Sequence, residues 1–228
     1  WCVFLFLYQG RMIYFPRDYE KGYQEIMPAE MVELDYEMSA GEQRAFYLPP
    51  ENGGQPEAVW VHFSGNASLA LDWLDVVDPQ PDPSAGHLLL DYPGYGFNEG
   101  TPNPSSIKES SEAALEALAD ELGMEMGELE ERLNVIGFSL GSATALEFAT
   151  RHPVRRVILM APFTSMKDMA IRQAGRPFHL FLRHRFDNQQ RLRELTAREP
   201  QPEVHLVHGT SDEIIPFAMG KKLADNFP

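Results

Sequence analysis

Apolar positions along this chain follow two alternating periods. Val32 to Ser39 and Arg44 to Leu48 alternate apolar and polar, as half-buried strands do, and Ala40-Gly41-Glu42 between them predicts a β-hairpin. Pro49, Pro50 and Gly53-Gly54 end it. Ala58 to Phe63 (AVWVHF) reads as a buried strand. Asn66 is placed to cap a helix running to about Val77, with Leu69, Trp73, Leu74 and Val77 on one face. A proline-rich loop, Pro79 to Pro83, precedes a strand from His87 to Asp91. Ser106 and Glu109 have capping-box spacing, and the helix that follows lines up Ile107, Ala114, Leu115, Leu118 and Leu122. Leu133 to Phe138, Arg156 to Met160 and Glu203 to Val207 read as strands; helices are expected from Ser139 to about His152 and over Met219 to Asn226. Strands alternating with helices predict an α/β fold: a mostly parallel central sheet, an antiparallel hairpin at its start, and helices on both faces.

Two stretches break the rhythm. Residues 163 to 202 have no clear strand, and carry eight Lys or Arg against four Asp or Glu, +4 locally against −19 for the remainder. An insert between two core strands reads as a small helical cap; Arg183 and Arg185 flank His184 within it, on what is equally a solvated helix surface. The other exception is the start. Trp1 to Tyr8 (WCVFLFLY) is apolar throughout, with Arg11 and Arg17 following. Eight apolar residues cannot span a bilayer, which takes about 20. Residues 1–15 read as the trimmed end of a signal-anchor or signal-peptide segment, or else as an ordinary buried strand or helix. Membrane association through the N-terminus is therefore expected, in an otherwise cytoplasmic protein.

Composition narrows the class. A chain of 228 residues suits one domain, 16–228, and 43 % hydrophobic residues can build a sizeable core. A net charge of −15 excludes nucleic acid as a partner, because that needs a basic footprint. Cys2 is the one cysteine, so there is no internal disulfide and no thiolate metal cluster.

The strongest chemical signal is Gly137-Phe138-Ser139-Leu140-Gly141, with a strand before it and the small residues Ser142, Ala143 and Ala145 after it. A serine at a sharp strand-to-helix turn has a strained backbone, so the positions two residues away must be small; Gly137 and Gly141 are. Such a turn exposes the hydroxyl as a nucleophile, and the N–H of Leu140 at the helix start can donate to an oxyanion. A second donor is expected from the Phe63-Ser64-Gly65-Asn66-Ala67 loop, as the N–H of Asn66. The acid of a triad should follow the serine, and Asp212, on a loop after the last strand, fits that place. Asp168 and Asp187 are weaker choices. The three-glycine stretch Asp91 to Gly100 is read as chiefly structural, with Asp91 satisfying local backbone donors. The base is the difficulty. All seven histidines (His62, His87, His152, His179, His184, His205 and His208) precede Asp212, whereas the order Ser, acid, His puts the base after it. Residues 1–228 are read as a fragment, with a C-terminal strand and helix, and the base, beyond them.

Taken together, the motifs resemble the α/β-hydrolase superfamily. They are most similar to its serine-hydrolase branch with an N-terminal membrane anchor, which includes lysophospholipase-like and protein-depalmitoylase-like members. The residues that carry this are Tyr14-Phe15-Pro16, Phe63 to Ala67, Asp91 to Gly96, Gly137 to Gly141, Ala161-Pro162-Phe163-Thr164-Ser165, Arg185 to Asn188, and His208 to Asp212 with Ile215-Pro216. The resemblance implies Ser139 as nucleophile, Asp212 as acid, and Asn66 and Leu140 as oxyanion donors. Two features depart from it: Ser64 stands where the family usually has His, and the family's final strand and catalytic histidine are absent. The expected activity is hydrolysis of a carboxylic ester or thioester, of a small molecule or a lipid, with no metal or organic cofactor. A non-catalytic scaffold and an acyltransferase are the alternatives.

Overall fold

A computed structural model describes residues 2–77 and 82–227. Trp1, the side chains of 2–7 and 176–178, and most of the expected proline-rich loop lie outside the described residues. The first element is helix α1 (Cys2–Ile13), followed by a 3₁₀ turn (Tyr23–Ile26) and the hairpin β1 (Val32–Met38) and β2 (Gly41–Leu48). Next come β3 (Ala58–Phe63), a 3₁₀ turn (Ala70–Trp73) continuing into the short α2 (Leu74–Val77), and β4 (Ala85–Leu90). Helices α3 (Pro104–Leu122) and α4 (Met126–Glu130) lead to β5 (Leu133–Phe138), α5 (Leu140–Ala149) and β6 (Arg156–Met160). Helix α6 (Met166–Ala174), a 3₁₀ turn (Arg176–Phe181) and α7 (Asn188–Thr196) precede β7 (Glu203–Val207) and α8 (Phe217–Asn226).

The seven strands form one sheet in the order β1-β2-β4-β3-β5-β6-β7. β1 pairs with β2, and β2 with β4, antiparallel; every other pair is parallel. The alternation read from β2 sets its faces. Ala45 and Tyr47 enter the larger core under α3 and α5, while Phe46 enters the smaller one with Leu71, Trp73 and Ile136.

Some boundaries differ from the sequence reading for local reasons. The α3 box is Asn103 with Ser106: the Asn103 side chain accepts from the N–H groups of Ser105 and Ser106, and Pro104 opens the helix. Glu109 turns outward and accepts from the Ser39 N–H and hydroxyl at 2.9 Å each. The insert between β6 and β7 divides. Leu192 and Leu195 of α7 are fully buried in the main core, so α7 belongs to the sheet's flank, and α6 with its 3₁₀ turn is left as the cap. Among the described residues no helix is long and apolar enough to cross a membrane; α1 has 12 residues, about 18 Å at 1.5 Å per residue. Instead α1 lies against the cap's 3₁₀ turn, where the Gln9 Nε2 donates to the Phe181 carbonyl and its Oε1 accepts from the Arg183 N–H.

Candidate active site

Strand β5 delivers the chain to Ser139 with φ 55° and ψ −114°, a conformation that costs a non-glycine residue on the order of 1–3 kcal/mol. The Ser139 N–H donates to the Met160 carbonyl at 2.8 Å, which ties the turn to β6. A Cβ on Gly137 would lie 2.1 Å from the Gly141 carbonyl oxygen, and one on Gly141 would lie 2.0 Å from that of Phe63. Both glycines are thus required by backbone packed on backbone. The second contact seats the end of β3 against the elbow and brings the loop after it beside Ser139. Gly65 has a related task, since a Cβ there would meet the Phe138 ring at 2.7 Å.

Asn66 does not cap a helix as the sequence implied. The 3₁₀ turn is opened at Leu69, whose N–H donates to the Asp72 carboxylate at 2.9 Å. The Asn66 carboxamide points the other way and bonds to the segment after α1 and to Tyr95. Ser64, which stands where a histidine was expected, accepts from the Trp73 indole N–H at 3.1 Å through its hydroxyl. Its carbonyl accepts from the Tyr92 hydroxyl at 2.6 Å. The loop keeps its course by these bonds. Leu140 is the first residue of α5, so its N–H has no acceptor within the helix, and the positive end of the helix lies at Ser139.

Asp212 sits in the turn after β7. Its Oδ1 accepts from the N–H groups of Ile214 and Ile215 at 2.9 and 2.8 Å. Its Oδ2 is 3.6 Å from the His208 Nε2, which has a closer acceptor in the Ile215 carbonyl at 2.8 Å. One carboxylate oxygen therefore shapes the turn, and the other has room for a further donor.

Ser139, Leu140, Asn66 and Asp212 line a single cavity of about 680 Å³. Its other walls are largely apolar, and come from α1 (Met12, Ile13), from α6 (Met166, Met169) and from the 3₁₀ turn (Phe181). A volume in this range holds a drug-sized or larger organic group. No described histidine lines it. His62 and His87 are bonded to each other at 3.0 Å behind the sheet, and burial lowers the pKa of both, that of His87 to about 4. His152 is clamped between Glu112 and Glu130, and His205 pairs with Glu203. His184 contacts the Tyr14 hydroxyl, and burial lowers its pKa. Among the described residues no group of three or more His, Cys, Asp or Glu is arranged to hold a metal ion.

Sequence reasoning missed the layer beneath the loop. Tyr95 is fully buried, and Tyr92 nearly so; their rings meet edge to face at 5.7 Å. Tyr92 also bonds to the Thr144 hydroxyl on α5 at 2.9 Å, so one ring links both sides of the site. Asp91 was read rightly as a backbone acceptor: it takes the Ala70 N–H at 2.8 Å and the Tyr19 hydroxyl at 2.7 Å. Burial outweighs these donors and raises its pKa to about 7.

The strained serine thus stands between two obligatory glycines at the end of β5, an inner strand of the sheet. A family model described as alpha/beta hydrolase fold matches residues 65–208. The chain belongs to the α/β-hydrolase fold family. An uncharacterized protein of Mycobacterium tuberculosis is 28 % identical over 226 residues, covering 97 % of this chain and 76 % of that protein. Among solved structures, an α/β-hydrolase from Vibrio vulnificus superposes with a TM-score of 0.70 at 14 % identity, over 96 % of this chain and 90 % of its own. An esterase from Exiguobacterium antarcticum gives a TM-score of 0.57 at 14 % identity, over 86 % of this chain and 88 % of its own. At those identities the two structures speak for the fold.

Proposed function

We propose that this α/β-hydrolase is a serine hydrolase of carboxylic esters or thioesters, within the anchored branch that its motifs resemble. The observation that carries the reading is the convergence of Ser139, Asp212, Asn66 and Leu140 on one cavity under an apolar roof. In the first step the Ser139 oxygen attacks the acyl carbonyl and its proton passes to a histidine. No described histidine lines the cavity, so the base of this proposal is a histidine that the described lining does not supply. Asp212 holds it through Oδ2, the oxygen not used by the turn, and stabilises its charged form. The carbonyl oxygen becomes an oxyanion, held by the N–H groups of Asn66 and Leu140. Collapse expels the alcohol or thiol, which takes the proton back from the histidine. Water repeats the sequence on the acyl-serine and releases the acid. No metal or organic cofactor enters.

The apolar walls support a lipid-like or long acyl group as substrate. Met12, Phe15, Phe181 and Ile214 line the same cavity and are also solvent-exposed, which supports a seat at a lipid surface for a substrate that resides there. A non-catalytic scaffold is disfavoured by the strain kept at Ser139. Labelling of the full-length protein with a fluorophosphonate probe tests the reading: wild type takes the label and Ser139→Ala does not. A folded wild type that takes no label overturns it. An acyltransferase would instead be identified by ester products when an alcohol is supplied.

A further inference from the structure

One side chain joins the N-terminal helix to the loop beside the nucleophile. The Asn66 Nδ2 donates to the Ile13 carbonyl at 2.6 Å, and its Oδ1 accepts from the Phe15 N–H at 2.9 Å and from the Tyr95 hydroxyl at 3.0 Å. Ile13 is the last residue of α1. Two residues after Phe15, the Arg17 guanidinium donates to the Ala67 carbonyl at 3.1 Å. Residues 13–17 therefore run as a strap along residues 66–67. The other end of this connection is the cap. Tyr14, between the two strap residues that Asn66 grips, is almost fully buried and its hydroxyl lies 3.2 Å from the His184 Nδ1. Gln9, one to two turns earlier, bonds to the backbone of Phe181 and Arg183. The position of the roof is thus passed within one residue to Asn66, which lines the cavity with Ser139.

The loop does not need this tie in order to fold. From beneath, the Tyr92 hydroxyl donates to the Ser64 carbonyl, and the Trp73 indole N–H donates to the Ser64 hydroxyl. Asn66 adds, beside the bond from Arg17 to Ala67, the attachment that reaches the end of α1 itself. An oxyanion donor has to be held within about 0.5 Å of its productive place. An attachment to the roof therefore makes the donor's aim depend on whether the roof is seated.

We propose that the Asn66 carboxamide is a positioning group that couples the seating of α1 on the cap to the aim of the Asn66 N–H at the oxyanion. The inference rests on the acyl-hydrolase reading given above, and it adds regulation of that same site. A substrate whose acyl group fills the roof cavity holds α1 and the cap together and sets the donor. A short acyl group leaves the roof loose and the donor poorly aimed.

The test is steady-state hydrolysis of p-nitrophenyl esters of increasing acyl length by the full-length protein, with fluorophosphonate labelling rates in parallel. In Asn66→Ala, kcat for the longest ester is expected to fall about 10- to 100-fold, somewhat less than or equal to the loss of an oxyanion donor itself, with KM within about twofold. The rise of kcat with acyl length disappears. His184→Ala, which loosens Tyr14 from the cap, lowers kcat for long esters in the wild-type background but not in the Asn66→Ala background, because the coupling is already cut. If Asn66→Ala fails to fold by thermal melting, Asn66→Asp replaces it. That change keeps the acceptor for Phe15 and Tyr95, removes the donor to Ile13 and adds a charge, so its kcat is read as the ratio of the longest to the shortest ester, in which the effect of the charge cancels. A folded Asn66 variant with kcat within twofold of wild type for every ester, or additive effects of His184→Ala, overturns the coupling while the hydrolase reading stands. A wild type that takes no label overturns the hydrolase reading itself.

Discussion

The floor and the roof of the cavity are built on opposite principles. The floor is Ser139 with the ends of β3 and β5, where backbone touches backbone and two glycines are the only residues that fit. The roof is α1, α6 and the 3₁₀ turn, where the wall is made of flexible side chains such as Met12, Met166 and Met169, and Met12 is 54 % exposed. Thioethers adapt to many shapes at little cost. A stiff floor with an adaptable roof separates two tasks: the reacting bond is placed by the first, and the rest of the substrate is accommodated by the second. Changes in the floor should therefore alter kcat, and changes in the roof should alter which substrate is preferred.

The largest expected effect is on the floor. Ser139→Ala lowers kcat by about 10⁶, as loss of a triad nucleophile does, and leaves the melting temperature little changed, since alanine keeps the strained backbone and loses only the hydroxyl. Asp212→Asn keeps the turn bonds to Ile214 and Ile215 through its oxygen and lowers kcat by about 10⁴. Unchanged turnover in either variant breaks the assignment of the floor as the chemical half. Gly141→Ala is expected to lose both activity and several degrees of melting temperature, because Phe63 cannot give way without moving β3.

Two supports of the floor differ in their response to pH. Asp91, beside the oxyanion loop, has its pKa raised to about 7 by burial. The folded state then holds a proton that the unfolded state releases near pH 4, so stability is greatest below about 4 and falls as pH rises through about 7. A shift of this size corresponds to about 4 kcal/mol. Asp91→Asn should flatten that slope in denaturant melts, and a slope that persists would show that another group carries it. The clamp of Glu112, His152 and Glu130, beneath α5, behaves in a different way. Burial alone would raise the Glu112 pKa, but its bonds to His152 and Arg151 bring it down to about 2, so its contribution fades as pH falls from about 4.5 towards 2. Burial lowers the His152 pKa, but the two carboxylates outweigh it and raise it, so its contribution is complete below about 6.5 and is lost as pH rises through the folded value. Glu112→Gln should remove the acid limb and shrink the His152 limb, which Glu130 still supports.

The smallest expected effect is on the roof. Met166→Ala or Met169→Ala should leave kcat on a short ester within twofold, and shift KM for long-acyl esters several-fold. Equal loss on all esters would mean that the roof also does chemistry, and would remove the contrast.

The floor was the legible half. The elbow, the alternation of β1 and β2, and the strands β3, β5, β6 and β7 are set by local pattern, and every boundary of β3, β5 and β6 agrees with the reading from periodicity. The roof was not legible, because it joins residues far apart in sequence. Nothing near Gln9 reports its bond to Arg183, 174 residues away. The apolar run at the start reads as an anchor, and nothing in it reports the contact that α1 makes with the cap through Gln9. Residues 163–202 read as one insert because no strand interrupts them; only the burial of Leu192 and Leu195 separates α7 from the cap. Asn66 was the subtlest case. Its place before an apolar stretch suits an N-cap, but Asp72 supplies that bond from within the turn, which frees the carboxamide for the strap.

The long separation between the two halves of the roof has a consequence for how the protein is made. During synthesis helix α1 leaves the ribosome well before the cap against which it closes, which follows only after the chain has passed Phe181 and Arg183. The sheet from β1 to β6 can assemble in that interval, since its contacts are complete by Met160. Contacts of such long range form late, at a high entropic cost of loop closure. The apolar face of the helix and the mouth of the site then stay open to other proteins throughout elongation, an aggregation-prone interval in which a chaperone would find its purchase on this chain.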